Sequence, residues 1–344
     1  MAYLIGVDIG TSGTKTVIFD EAGKTIAQAT IEYPMYQPEN GWAEQHPTDW
    51  WDAVVGTLQK VITDSGIDTS DVRGIGLSGQ MHGLVMLDRQ DRVIRPAIIW
   101  CDQRTTAECD QITSLVGAER LIEITANPAL TGFTASKILW VRNNEPQNYE
   151  KCVSILLPKD YIRLRLTGER ATEASDASGM QLLDIGKRSW SDEVLTKLSI
   201  DKSLLAPVYE SPEVTGAITQ EIADLTGLKA GTPVVGGAGD NAAAAVGTGV
   251  VADGQSFTTI GSSGVVYAHT AEMHIDPKGR VHTFCCAVPG EWHVMGVTQG
   301  AGLSLKWFRD NFLESFSDTA KAMGVSPYYL MDQAASKIPI GSNR

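Results

Sequence analysis

The sequence predicts an α/β protein, with mixed sheets flanked by helices and shared between two domains. Three observations point there. The chain opens with three strands, a helix and a further strand, which departs from simple β-α-β alternation. A Gly/Ser hairpin near the start recurs near residue 260. The length of 344 residues suits two domains, taking ~150 residues for each.

Tyr3 to Asp8 reads as a strand, Gly10 to Gly13 as a turn, and Lys15 to Asp20 as a second strand. After Glu21–Lys24 a third strand runs from Thr25 to Glu32. A proline-bearing loop spans Pro34 to Pro47. Trp51, Val54, Val55, Leu58, Val61 and Ile62 then recur at helical spacing, with Thr48 as the expected N-cap. Val72–Leu77, Leu84–Leu87 and Ala97–Trp100 read as further strands. Thr232–Gly237 reads as a buried strand, Ala238–Asn241 as a turn, and Ala242 as the start of a small-residue helix. Ser256–Ile260 and Val265–His269 flank the second turn, Gly261 to Gly264. This repeats the pattern around Ile9–Gly13 and implies two similar domains, 1–245 and 246–344. Two unrelated Gly/Ser hairpins are the other reading. A helix over Gly302–Phe312 follows, then one that opens at Ser326-Pro327 and ends near Lys337.

Composition excludes several classes of function. Asp and Glu number 41 against 28 Lys and Arg, a formal charge of −13. With no Lys/Arg cluster, this argues against nucleic acid as a partner. The first basic residue is Lys15, so there is no charged region of a signal peptide. The longest small-apolar run, Ala242–Ala252, is too short for a membrane span, which takes ~20 residues. The five cysteines form no CxxC, which argues for reduced thiols and a cytoplasmic location. His282, Cys285 and Cys286 resemble a metal cluster but lack a fourth ligand at suitable spacing.

Four segments carry chemistry. Asp8 ends a strand, and Gly10-Thr11-Ser12-Gly13 leads to Lys15. Such a turn can aim N–H groups and hydroxyls at phosphate oxygens, while Lys15 adds charge and Asp8 can hold Mg²⁺ through water. A solvated hairpin turn is the alternative. The Gly261-Ser262-Ser263-Gly264 turn has similar donors, but Thr259 stands where the first has Asp8. Asp240 follows a glycine-rich strand end and opens a helix, placed either to act as general base on a hydroxyl or to cap that helix. Gln80-Met81-His82-Gly83 can bond a polyol, though a lone histidine is commonly structural. Trp100 can pack on a sugar or in the core, and Asp102 and Arg104 can pair.

In this order the segments resemble the FGGY family of carbohydrate kinases. Trp42-Ala43-Glu44-Gln45, Trp50-Trp51, Trp100-Cys101-Asp102-Gln103-Arg104 and Gly132 to Trp140 add to the likeness. So do Leu157 to Tyr161 and Thr167-Gly168-Glu169. The resemblance implies an actin/hexokinase-like (ribonuclease H-like) fold of duplicated domains, the second incomplete here. It implies a phosphotransferase that moves the γ-phosphoryl of ATP to a ketopentose hydroxyl. D-xylulose at O5 is the expected acceptor, with ribulose or gluconate as other sugars. Asp240 would be the base, and Met81, His82, Asp240 and Asn241 would contact the sugar, with Trp100 as a wall. Thr11, Ser12, Gly13 and Lys15 would cradle phosphates, with Asp8 near Mg²⁺. Ser262, Gly302 and Lys306 would meet the nucleotide, although Lys306 is not the family's usual residue.

Family members continue beyond the equivalent of residue 344, so the likeness covers the first two thirds of a full kinase. Apolar surface within 246–344 is therefore expected to be uncovered, which favours oligomerisation, such as a homodimer, or instability. A truncated sugar-binding or regulatory chain without turnover is the rival reading.

Overall fold

The computed structural model describes residues 2–261, 263–298, 300–339, 341 and 342. The chain divides into two compact units. One is Met1–Gln255 with Ala268–Val294, the other Ser256–Tyr267 with Met295–Arg344.

The first unit is built on a seven-stranded mixed sheet. Strands β1 (Tyr3–Ile9), β2 (Gly13–Asp20) and β3 (Thr25–Glu32) form the expected antiparallel meander. On its other edge β1 pairs in parallel with Val72–Gly79, which sets Asp8 opposite Ser78. Pro233–Val235 and Ala238–Gly239 also run parallel to Val72–Gly79. Val214–Ala217 completes the sheet, antiparallel to Pro233–Val235. Three parallel segments therefore end at one edge, where α/β sheets commonly bind ligands. Asp8, Gln80 and Asp240 are carried at or just past those ends.

Alternation along β1 sends Ile5, Val7 and Ile9 to one face. Helix α1 (Pro47–Ser65) covers that face with Trp50, Val54, Leu58 and Val61, all fully buried. Each such side chain contributes about 1.5–3 kcal/mol of burial. Thr48 is not the N-cap. His46 holds that position without a side-chain cap bond, and Pro47 starts the helix. Proline has a preset φ and no N–H to satisfy, so the turn forms without a hydroxyl.

The segment before Asp240 also differs from expectation. The strand shortens to Pro233–Val235, and the expected turn instead holds a second short strand, Ala238–Gly239, followed directly by the helix Asp240–Gly247. Gly237 is the reason. Its φ is 70°, and a Cβ there would lie 2.0 Å from the Leu77 carbonyl oxygen. Only glycine allows the chain to turn this close to its neighbour and resume pairing. Ala97–Trp100 likewise shortens, to Ala97–Ile98, because Trp100 turns away to bond elsewhere.

In the second unit Ser256–Ile260 and the helix Gly302–Phe312 match the expected bounds. Pro327–Ala335 begins with the Ser326 hydroxyl accepting the Tyr328 N–H, and Glu314–Met323 lies between the two helices. Ile260, Leu305, Trp307, Phe308 and Phe312 are exposed, so apolar surface is uncovered there. Among the described residues, no helix is long and apolar enough to cross a membrane.

Gly237→Ala should destabilise the first unit by at least about 1–2 kcal/mol, the cost of the left-handed backbone before the Cβ clash with Leu77 is added. Thermal unfolding followed by circular dichroism checks this, and an unchanged midpoint contradicts it.

Candidate active site

The Gly10–Gly13 turn is braced from behind. Gly10 N–H donates to the Gly13 carbonyl at 3.1 Å. The Tyr33 hydroxyl donates to the Gly10 carbonyl at 2.6 Å, and Gln45 Nε2 donates to the Thr11 carbonyl at 2.7 Å. Gln45 Oε1 in turn accepts from Trp50 Nε1 at 3.1 Å and Gln80 Nε2 at 2.8 Å. Trp100 Nε1 donates to Thr11 Oγ1 at 2.8 Å, which joins two of the expected site residues. Gly13 is required by crowding, because a Cβ there would lie 2.7 Å from the Ile31 carbonyl oxygen. Ser12 and Lys15 are exposed, and Lys15 stands opposite Asp8 in the β1–β2 register.

A buried charge cluster supports Trp100 and its loop. Asp102 and Arg104 pair as expected, with Arg104 Nη2 2.7 Å from Asp102 Oδ2. Asp102 Oδ2 also accepts the Ala43 N–H at 2.6 Å. Arg104 lies 3.7 Å from the Trp42 ring centroid and donates to Glu44 Oε1 at 2.8 Å. The motifs around residues 42 and 100 thus meet as one packed unit.

Two carboxylates stand at strand ends on either side of Val72–Gly79. Asp8 Oδ1 accepts the Ser78 hydroxyl at 2.7 Å. Asp240 is half-buried, and its Oδ1 accepts the Asn241 N–H at 2.7 Å and Asn241 Nδ2 at 2.9 Å. Gly239 is the N-cap of that helix, so Asp240 is its first residue and not its cap. Burial pushes the Asp240 carboxyl up to about 6; the Asp8 charge adds to this, and the bonds from Asn241 oppose it. A cavity of about 570 Å³ opens beside Asp8, lined by Asp8, Lys15, Ser78, Gly237, Ala238 and Val246 among others, and Asp240 is not part of its lining.

Met81 and His82 follow Gln80. Met81 is buried against Gly239, where a Cβ would lie 2.8 Å from Met81 Cγ. His82 has φ 69°. Its Nδ1 lies 2.8 Å from the Gly179 carbonyl oxygen. A carbonyl only accepts, so Nδ1 carries the proton and Nε2 is left as an acceptor. Burial, aided by the Lys137 charge, pulls the imidazole down to about 3, so it is neutral. The fully buried Lys137 fixes this loop by donating to the carbonyls of His82 at 2.9 Å and Gly132 at 2.6 Å.

The first unit thus holds Asp8, Thr11, Ser12, Gly13, Lys15, Met81, His82, Trp100, Asp240 and Asn241 at, or tied to, its parallel strand ends. The second unit holds Gly302, whose N–H donates to the Gly261 carbonyl at 2.8 Å, and Lys306, which is exposed on the following helix. Ser262 lies outside the described residues. Sequence reasoning gave no role to Ser78, Tyr33 or Gln45, and offered Gln80 to a polyol, whereas its Nε2 is spent on Gln45 Oε1 at 2.8 Å. Glu173 and Ser175, considered below, offered no sequence signal.

Residues 3–247 match the model of the FGGY family of carbohydrate kinases, N-terminal domain. The chain is 39% identical over 343 residues to the xylulose kinase of Bacillus subtilis, covering 100% of this chain and 66% of that protein. It is 42% identical over 303 residues to the xylulose kinase of Escherichia coli, 88% of this chain and 62% of that one. The solved xylulose kinase of Rhodospirillum rubrum superposes with a TM-score of 0.91 at 28% identity, covering 98% of this chain and 68% of that chain. The chain belongs to the FGGY family of carbohydrate kinases, and its fold is of the actin/hexokinase-like class. It spans about two thirds of the length of these relatives.

Arg104→Met should cost about 3–5 kcal/mol, because it leaves the buried Asp102 without its cation, although Glu44 keeps Arg95 at 2.6 Å. The urea unfolding midpoint measures this. A midpoint equal to that of the native chain rules the account out.

Proposed function

We propose that this chain carries the sugar site and catalytic base of an ATP-dependent kinase that converts D-xylulose to D-xylulose 5-phosphate. The observation that carries the reading is the Asp240 carboxyl, half-buried beside Asp8 at the strand ends and raised to about 6. The names of the similar proteins supply the sugar.

In this reading Asp240 takes the proton from O5 as the phosphoryl group arrives. Asn241 occupies Oδ1 with two hydrogen bonds, which leaves Oδ2 for that proton. Met81, His82 and Asn241 hold the sugar, His82 through its Nε2 acceptor, and Trp100 forms a wall. Thr11, Ser12, Gly13 and Lys15 take phosphate oxygens, with Ser262, Gly302 and Lys306 on the nucleotide side. Mg²⁺ commonly keeps several waters and uses one or two carboxylates with substrate phosphates. Asp8, a strand-end carboxylate opposite Lys15, suits that role. The ion would neutralise charge on the transferring group, and phosphoryl transfer needs little beyond such neutralisation and alignment.

The sugar site, first phosphate turn and base fall within 1–245, with 246–344 as the nucleotide-side part. All five cysteines are free, which suits the reducing cytoplasm. The exposed apolar side chains of the second unit suit a homodimer.

ADP release with Mg·ATP, with and without D-xylulose, tests the reading. Asp240→Asn should lower kcat by about 10²–10⁴-fold, the usual worth of a positioned base. ADP release that ignores sugar sinks it. Sugar binding by calorimetry without any turnover favours the regulatory reading, and faster turnover of ribulose or gluconate moves the substrate. The pH profile gives a separate check. Only the ionised carboxylate accepts a proton, so kcat/KM should climb as pH rises through about 6 and level off above it. A profile that is flat across that range contradicts the assignment.

A further inference from the structure

A group of charges without access to water lies behind the segment that leads to Asp240. Lys159, Asp160, Arg163, Glu173 and Asp176 are all fully buried. Burying ions costs several kcal/mol each unless they are well paired. Lys159 Nζ lies 2.7 Å from Asp160 Oδ1 and 3.1 Å from Asp176 Oδ2, and Arg163 Nη1 lies 2.7 Å from Asp160 Oδ1. Burial holds the Asp176 carboxyl well above the usual carboxylate range, with the Lys159 charge opposing it.

Glu173 is the hub. Its Oε1 accepts the Ser175 hydroxyl at 2.8 Å and the Asp176 N–H at 2.9 Å. Its Oε2 accepts the Ser175 N–H at 2.8 Å and the Ser211 hydroxyl at 2.9 Å. Three handles then reach residues 236–239. Arg163 donates to the Gly236 carbonyl. Gly237 N–H donates to the Ser211 carbonyl at 3.0 Å. Gly239 N–H donates to Ser175 Oγ at 3.1 Å. Gly236, Gly237 and Gly239 carry no side chain that could fix the segment by packing, so these bonds, together with the pairing of Ala238–Gly239 to Ser78 and Gly79, set where Asp240 begins. The Ser175 hydroxyl suits the task, since it donates to Glu173 and accepts from Gly239 at once.

We propose that Glu173 and Ser175 are positioning residues that hold Asp240 toward the substrate hydroxyl through the Gly239 amide. The proposal rests on Asp240 being the base.

The test compares the native chain with Ser175→Ala, Ser175→Thr, Asp240→Asn and the double variant. It follows D-xylulose-dependent ADP release and amide hydrogen exchange over 236–241. Ser175→Ala should lower kcat by ~10–100-fold while KM for the sugar changes by under about 3-fold, as expected when only alignment is lost. Exchange should quicken over 236–241 and not elsewhere. Ser175→Thr, which keeps the hydroxyl, should restore most of the rate. In the Asp240→Asn background Ser175→Ala should add almost nothing. An unchanged kcat, or the same loss in that background, overturns the proposal. Full turnover by Asp240→Asn instead removes the base reading alone. In that case, or if the native chain has no turnover, local exchange decides: faster exchange in Ser175→Ala supports the tether and unchanged exchange overturns it. If Ser175→Ala does not fold, Ser211→Ala removes the hydroxyl bond to Glu173 Oε2, which loosens the hub while leaving the Ser211 carbonyl in place, and is read the same way. Failure of both to fold overturns the proposal, because the hydroxyls would then serve stability and not position.

Discussion

The parallel register of β1, Val72–Gly79 and Ala238–Gly239 is the constraint on which the rest depends. It places Asp8 and Asp240 at strand ends on either side of Val72–Gly79, where the Asp8 charge adds to the burial that raises the Asp240 carboxyl. That register is fixed by the inward set Ile5, Val7 and Ile9 against α1, since a one-residue slip would turn those side chains outward and Asp8 inward. Burial on one face of the sheet thus determines electrostatics at its edge.

Close approach is the second theme. Gly13 and Gly237 each stand where a Cβ would collide with a backbone carbonyl. Both collisions would fall beside the candidate chemistry: one in the phosphate turn, the other two residues before Gly239. The glycines let the main chain itself, with its N–H and carbonyl groups, line the site. The polar frame behind it, Gln45 with Gln80 and Trp50, then satisfies groups that would otherwise be stranded.

What the sequence made legible was local. The meander, α1 and the helix Gly302–Phe312 follow from periodicity, and β3 and Ser256–Ile260 match to the residue. The carboxylates Asp8 and Asp240 stood out because each ends a strand before a turn or helix. Thr48 misled because a hydroxyl beside Pro47 looks like a cap, while the proline already shapes the turn. The Ala238–Gly239 pairing was hidden because glycine-rich stretches read as turns, whatever lies alongside. Glu173 and Ser175 were out of reach for another reason. Ser175 meets Gly239 across 64 residues of sequence, and no local spacing encodes such a partner.

The cluster of Trp42, Glu44, Asp102 and Arg104 has a consequence for how this chain can diverge. Arg104 answers the charge of two carboxylates and lies on the indole face, with Ala43's amide held by the same aspartate. Loss of Arg104 or Asp102 strands its partner in a dry interior, whereas Glu44 keeps Arg95, so the constraint falls hardest on the Asp102–Arg104 pair. Divergence at that pair calls for a coordinated change of both residues, and a chain that inherits it is held to it by folding as well as by function.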